Sequence, residues 1–223
     1  ETAHSYRGPF QRDRDRIIHS SAFRRLNDKM QVFTGEMGDY HRTRLTHTHE
    51  VASIARTIGR ALRLNEDLIE ALALFHDIGH PPFGHAGEDA LDLCLEAESG
   101  FSHNQFALTI AEELEIRNGP HPGLNLSQEI LEGQATRIQK DKQTAPPLLE
   151  VQVVEAADSI TYDAHDTDDA VKLELVTLDE LADLSLVKQC LERIGGRFNQ
   201  LPPNIQRRAI VHELIDIQVS HVL

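Results

Sequence analysis

Apolar positions recur at helical spacing along most of the chain. The clearest case is residues 46–63, where Val51, Ile54, Ala55, Ile58 and Leu62 fall on one face and polar side chains on the other. Residues 66–77 repeat the pattern with Leu68, Ile69, Leu72 and Phe75. Weaker periodicity predicts helices over 12–31 (Ile17, Ile18, Phe23, Leu26), 86–97, 103–117 and 127–135. A long helix is predicted over 148–172 and others over 178–194 and 204–221, the last entered after Pro202-Pro203. The breaks are a polar loop from Gly35 to Arg42, a Pro/Gly stretch from Gly119 to Gly123, and a Lys-rich connection from Ala135 to Pro147 that reads as a mobile loop. No internal repeat, Walker loop or dinucleotide-binding glycine pattern appears. The expected fold is all-α, with residues 1–223 as one domain.

One run departs from plain amphipathicity: Leu74-Phe75-His76-Asp77-Ile78-Gly79-His80-Pro81-Pro82-Phe83-Gly84-His85. An apolar helix ends in an adjacent His-Asp pair, and a Gly/Pro loop with two more histidines follows. Imidazole with carboxylate is a ligand set for a divalent ion, and Gly79 and Pro81 allow the bend that would let neighbours share one ion. The alternative is a capped helix end carrying chance histidines. Helical phase supplies partners. His47, Val51, Ile54 and Ile58 form one stripe, so His47 is expected on the buried face and His49 on the surface. Over 148–172, Val151, Val154, Asp158, Tyr162 and Asp166 share a face, so polar groups continue an apolar stripe. A buried carboxylate there needs a cation, either a metal shared with His47, His76 and Asp77 or an arginine such as Arg16 or Arg25. Two His and two Asp leave two positions open on an octahedral ion, as a catalytic site requires. With no thiolate in the set, Mn²⁺, Mg²⁺ or Fe²⁺ suits it better than structural zinc.

Charge changes the picture in one region. The chain carries a net −14, yet residues 1–44 hold nine Lys/Arg against six acids. An acidic protein repels polyphosphates as a whole, but a local arginine cluster matches phosphate oxygens. Residues 1–44 can therefore bind a phosphate-rich ligand, although about half of these arginines should pair with Asp13, Asp15 and Asp28. The absence of Trp and the few aromatics argue against a base-stacking nucleic-acid platform. No run of about 18 apolar residues suggests a membrane span, and Glu1 to Phe10 lacks an apolar signal core. Cys94 and Cys190 suggest no disulfide framework, which makes a reducing cytoplasm the expected compartment.

The order His47, His76-Asp77, Asp158 resembles the HD-domain metal-dependent phosphohydrolases. The blocks from Arg12 to Leu26, Arg42 to His47, His76 to Gly87, His103-Asn104, Pro147 to Glu150 and Ala157 to Tyr162 together are similar to the bacterial deoxyguanosinetriphosphate triphosphohydrolase-like proteins. The resemblance runs from about residue 6 to 180. It implies an HD-type helical fold with a single catalytic metal site. It further implies hydrolysis of a dNTP between O5′ and the α-phosphorus to deoxynucleoside and inorganic triphosphate. Members are usually longer, so further C-terminal sequence is expected in the full family chain. In this reading His47, His76, Asp77 and Asp158 hold the metal, Arg44 reaches the phosphate, and the basic segment 1–44 contributes to the nucleotide site. His85 donates or relays a proton with Glu88 and His103, and His80 is a loop residue near phosphate. Tyr162 and Asp166 face the deoxyribose, and Gln31 reaches the sugar or base. The resemblance also implies a homo-oligomer and a possible activating dNTP. Two positions depart from relatives: Asn104 stands where some members carry Glu, and His49 where an apolar residue is usual. Other HD phosphohydrolases, such as 5′-deoxynucleotidases or (p)ppGpp hydrolases, and a catalytically silent nucleotide sensor are the alternatives. The arginine-rich N-terminal block and the Pro-Pro-Phe-Gly-His loop argue against the former, and the intact ligand set against the latter.

Overall fold

A computed structural model describes residues 4–31, 42–116, 121–138 and 146–223. It is all-α. The helices are α1 (Pro9–Ile18), α2 (Ser21–Arg25), α3 (Arg44–Ala61), α4 (Glu66–Phe75), α5 (Gly84–Cys94), α6 (His103–Thr109), α7 (Gln128–Ile138), α8 (Leu149–Lys172), α9 (Leu178–Leu181), α10 (Ser185–Ile194) and α11 (Pro203–Val222). Among the described residues the only extended pairing is an isolated antiparallel bridge between Met30 and Thr43.

The helix boundaries follow from capping chemistry. Pro9 opens α1 at the position where a missing N–H costs nothing, and the Gln11 side chain accepts the Gly8 N–H at 3.1 Å. The helix expected over 12–31 is interrupted at His19-Ser20. The Ser20 hydroxyl accepts the Phe23 N–H at 3.0 Å and starts α2 as a separate helix. Thr43 caps α3 through Thr46 N–H, and Asn65 caps α4 through Leu68 N–H. The stretch 103–117 is helical only to Leu114, its last turn being a π-turn over Ile110–Leu114. The region 178–194 divides into α9 and α10, since Leu184 N–H closes a turn onto Leu181 before Ser185 begins the next helix. Of the loop expected over 135–147, residues 135–138 complete α7, and 139–145 lie outside the described residues. So do most of the polar loop at Gly35 to Arg42 and part of the break at Gly119 to Gly123.

The chain forms two compact units, residues 1–154 and 155–223, and the division falls inside α8. In the first unit, α3 and α4 pack closely, with α1 against α4 and α7 behind. Gly59 permits the approach: a Cβ there would lie 2.2 Å from the Ile69 side chain. Ile17, Val51, Ala55, Ile58, Ile69, Phe75 and Ile130 are fully buried between these helices. This core fixes the N-terminus of α3 and the C-terminus of α4, the two ends that carry the His47 and His76-Asp77 side chains. The second unit has its own apolar cluster of Val187, Cys190, Ile210, Leu214 and Ile217, flanked by Leu178 and Leu181. Arg207 on α11 pairs with Asp168 on α8.

Candidate metal centre

Helix α4 runs to Phe75, and His76 is its C-cap. The backbone then turns tightly, with Ile78 N–H donating to Phe75 and His80 N–H to Asp77. His76 and Asp77 are thereby turned toward the start of α3, where His47 sits on the buried face. His47, His76 and Asp77 are 1%, 2% and 5% exposed. One donor atom from each lies within 4.8 Å of the others. His76 Nδ1 is 2.6 Å from the Ala73 carbonyl, so that nitrogen carries the proton and donates. Its Nε2 then presents a lone pair toward Asp77 Oδ1, 3.4 Å away. Two buried acceptors facing each other are stabilised by a cation between them. The donor set of two imidazoles and one carboxylate thus fits a divalent metal.

Arg44, one turn before His47, is 3% exposed rather than a surface residue. Its Nη1 donates to Asp77 Oδ2 at 2.8 Å and its Nη2 to the Gln31 carbonyl at 3.4 Å. The sequence did not assign Asp77 to it. Gly84 has φ +57° and its missing Cβ would lie 3.1 Å from Arg44 Nη2, so the loop backbone closes over the guanidinium. Lys29, also missed, donates from Nζ to the His80 carbonyl at 2.6 Å. Its ammonium is pushed down from the ordinary range, first by burial and then by the Arg44 and Arg25 charges. The only advance signal for Lys29 was its place in the basic N-terminal block.

The loop histidines form a second group. His80 is 4% exposed and stacks on His103 with ring centroids 3.8 Å apart and planes 12° from parallel. Burial drives the His80 pKa down to about 2, so its imidazole is neutral. Asp77, His80 and His103 also bring donor atoms within 4.8 Å. Stacked, near-parallel rings cannot both aim in-plane lone pairs at one ion, so these two histidines form a stack rather than a second metal site.

Glu88 on α5 joins the other two histidines. Its carboxylate accepts the His103 backbone N–H at 2.8 Å and lies 2.8 Å from His103 Nδ1 through both oxygens. Its Oε2 is 3.3 Å from His85 Nδ1. Burial alone would raise the Glu88 carboxyl, but the His103 hydrogen bonds outweigh it and hold the group below its ordinary range. For His103 burial dominates over the attraction of Glu88 and lowers the imidazole. The His103 side chain is 12% exposed, whereas that of His85 is 71% exposed. Asn104 Oδ1 accepts from the Gln134 side chain at 3.0 Å. His49 is exposed, its ring edge-on to Phe23.

Gln31 is 8% exposed, and among the described residues its buried Oε1 has no hydrogen-bond partner. A buried amide oxygen without a donor is a place for a ligand hydroxyl or amine. Asp158, Tyr162 and Asp166 lie on the part of α8 that belongs to the second unit. The buried stripe there runs through Ala157, Ile160, Thr161, Ala164, His165 and Asp169. The three predicted residues flank that stripe instead of continuing it, because the small and aliphatic side chains one position away take the interior. Asp158 is half-buried and Tyr162 43% exposed. With Ser159 and Asp163, they line a cavity of about 210 Å³. Burial is the largest influence on Asp166 and raises its carboxyl, against a hydrogen bond from Tyr162 that lowers it. Among the described residues no helix is long and apolar enough to cross a membrane.

Comparison with known proteins agrees with this geometry. A family model described as HD domain matches residues 44–163, the span that begins at Arg44 and contains all four expected metal ligands. A protein of Brucella ovis is 46% identical over 97% of this chain, one of Jannaschia sp. 45% identical over 100% of this chain, and one of Thiobacillus denitrificans 46% identical over 94% of this chain. Each carries the name deoxyguanosinetriphosphate triphosphohydrolase-like protein. The chain spans about 60% of the length of these relatives. A histidine near the start of one core helix meeting a His-Asp pair at the end of the next, within a segment matched from Arg44 to Asp163, places the chain in the HD-domain family.

Proposed function

We propose that the protein hydrolyses deoxynucleoside triphosphates, releasing the deoxynucleoside and inorganic triphosphate. The observation that carries this reading is the adjacency of two assemblies through one loop. A buried His47–His76–Asp77 donor set lies on one side and a Glu88-linked pair of histidines on the other, with His80 touching both. The names of the relatives support the substrate class.

His47, His76 and Asp77 would hold the metal, and Asp158 is taken as the fourth ligand on the sequence resemblance alone. When bound, the ion would neutralise phosphate charge and lower the pKa of water. Everything else falls to the chain. Hydrolysis at the α-phosphorus leaves a 5′-alkoxide, a poor leaving group that needs a proton. His85 is exposed toward solvent, and its Nδ1 is engaged by Glu88, so Nε2 is the atom from which a proton passes to the 5′-oxygen. Glu88 fixes that orientation and is itself fixed by two hydrogen bonds from His103. His80, neutral and stacked on His103, braces the relay and lines the loop beside the phosphates. Lys29 and Arg44 add positive potential on the same side. Gln31 is assigned to the sugar or base. Tyr162 and Asp166 are assigned to the deoxyribose, where a carboxylate and phenol can hold the 3′-OH and a ring packed at C2′ leaves no room for a 2′-OH. We further propose, on the family resemblance alone, that the enzyme acts in the cytoplasm as a homo-oligomer.

The test is incubation of the protein with each of the four dNTPs and Mn²⁺, followed by anion-exchange separation of products. Deoxynucleoside with tripolyphosphate is expected. Deoxynucleoside monophosphate with pyrophosphate, or no turnover of any dNTP but release of orthophosphate from a dNMP in a parallel incubation, would replace this reading with another HD phosphohydrolase activity.

A further inference from the structure

Lys29 is half-buried, and among the described residues its ammonium makes no ion pair. A cation taken out of water in this way is costly unless a hydrogen bond offsets it. Here Nζ donates to the His80 carbonyl at 2.6 Å, a charge-assisted bond. That carbonyl leads into Pro81-Pro82, two residues with no backbone N–H to tie the loop down. The chain then passes through Phe83 and Gly84, both at positive φ, into α5, which carries His85 and Glu88. A Cβ at Gly87 would overlap the Pro82 carbonyl, so the loop and the first turn of α5 are packed to move together.

The backbone at Lys29 is anchored independently of this loop. Its carbonyl accepts the Arg44 N–H at 2.8 Å, the Gln31 N–H donates to the Arg42 carbonyl at 3.1 Å, and Met30 bridges to Thr43. Lys29 is extended, with φ −112° and ψ 124°, so its side chain and that of Gln31, two residues on, share a face. We propose that Lys29 is a positioning residue whose ammonium ties the histidine loop to the 29–31 segment, and so sets where His80 and His85 stand relative to a nucleotide met by Gln31. Its charge still adds to the potential beside the phosphates; the rate depends on its hydrogen bond. Without the bond, the His80 carbonyl loses its donor and the loop that leads to His85 loses its tie to the start of α3.

The inference rests on the hydrolase reading above, and the test separates the two. Hydrogen–deuterium exchange, steady-state kinetics with each dNTP and Mn²⁺, and circular dichroism melts are compared for wild type, Lys29→Met, Lys29→Ala and Lys29→Arg. Lys29→Met should speed exchange in peptides covering 78–87, where the Ile78, His80 and Gly87 N–H groups close turns, and leave α10 and α11 unchanged. Its kcat should fall about 100-fold, as for a relay displaced by an ångström, with KM little changed. Ethylammonium added to Lys29→Ala should restore part of kcat, whereas tetramethylammonium, which has the charge but no N–H, should not. Lys29→Arg keeps a charged donor and should fall between wild type and Lys29→Met; it carries the test if the other variants do not fold. A raised KM with wild-type kcat, or equal rescue by both ammonium ions, would overturn the inference and assign the Lys29 charge to the phosphates directly. Wild-type loop exchange in Lys29→Met would overturn it as well. Faster loop exchange in that variant, with no turnover of any dNTP by wild type, would overturn the hydrolase reading instead.

Discussion

Gly79→Ala places a methyl group where the HD turn meets α6. The ideal Cβ would lie 2.1 Å from the His103 carbonyl oxygen, 2.6 Å from Ala107 N and 3.0 Å from Ala107 Cα. Ordinary van der Waals contact begins at 3.4 Å, so the closest pair falls roughly 1.3 Å short. All three neighbours are backbone atoms, and no flexible side chain can yield. The turn or the first residues of α6 must move by about an ångström, and forced overpacking of this kind costs about 1–3 kcal/mol. For a chain of this size that lowers Tm by roughly 2–4 °C for each kcal/mol. The first residue displaced is His103, whose ring and backbone both bind Glu88. A 1 Å misplacement of a catalytic relay costs on the order of 100-fold in rate. Thermal melts and steady-state kinetics on the variant should therefore show a lower Tm together with a kcat reduced about 100-fold. A Gly79→Ala protein with wild-type Tm and kcat would refute the close packing of turn and helix and the dependence of turnover on His103.

Other outcomes follow from the same account. His85→Ala should retain Mn²⁺ and bind dNTP but lose roughly 10²–10⁴ in kcat, as expected for one general acid; loss of Mn²⁺ in equilibrium dialysis would make His85 a ligand instead. Asp158→Ala should abolish both metal retention and turnover, and full metal occupancy in that variant would remove Asp158 from the ligand set. Tyr162→Ala should relax the preference for dGTP over GTP in competition assays, and an unchanged ratio would place sugar selection elsewhere. Asp166 has its carboxyl raised by burial, so the folded state holds that proton more tightly than the unfolded chain, and stability falls as pH rises above the ordinary value of 3.8. Asp166→Asn should therefore raise Tm at pH 7.5 but not at pH 3, while weakening all dNTPs; a lower Tm at pH 7.5 would show that the ionised carboxylate is stabilised in the fold.

Much of the first unit is visible in the sequence because its helices are long relative to their period. The phase of Val51, Ile54 and Ile58 separates buried His47 from exposed His49, although they are only two residues apart. Boundaries set by one side chain are harder to see. Ser20 fits a continuous helix as well as a new start, and only its hydrogen bond to Phe23 decides. In α8 the polar row 158–162–166 lies one position from a row of Ala, Ile and Thr that packs inside, a rotation that periodicity over a mixed segment does not resolve. Contacts between residues far apart in sequence carry no local signal. The Arg44–Asp77 pair, the Lys29 bond to His80 and the stack of His80 on His103 all depend on tertiary placement. Glu88 beside His85 is legible from its three-residue spacing, whereas its stronger bonds to His103, fifteen residues on, are not.

The central claim is that water attacks the α-phosphorus while the chain protonates the departing 5′-oxygen. Turnover of a dNTP in H₂¹⁸O with Mn²⁺, followed by mass spectrometry of both products, tests it most directly. The account predicts one ¹⁸O in the tripolyphosphate and none in the deoxynucleoside. Label in the deoxynucleoside 5′-hydroxyl, or in a deoxynucleoside monophosphate, would contradict it.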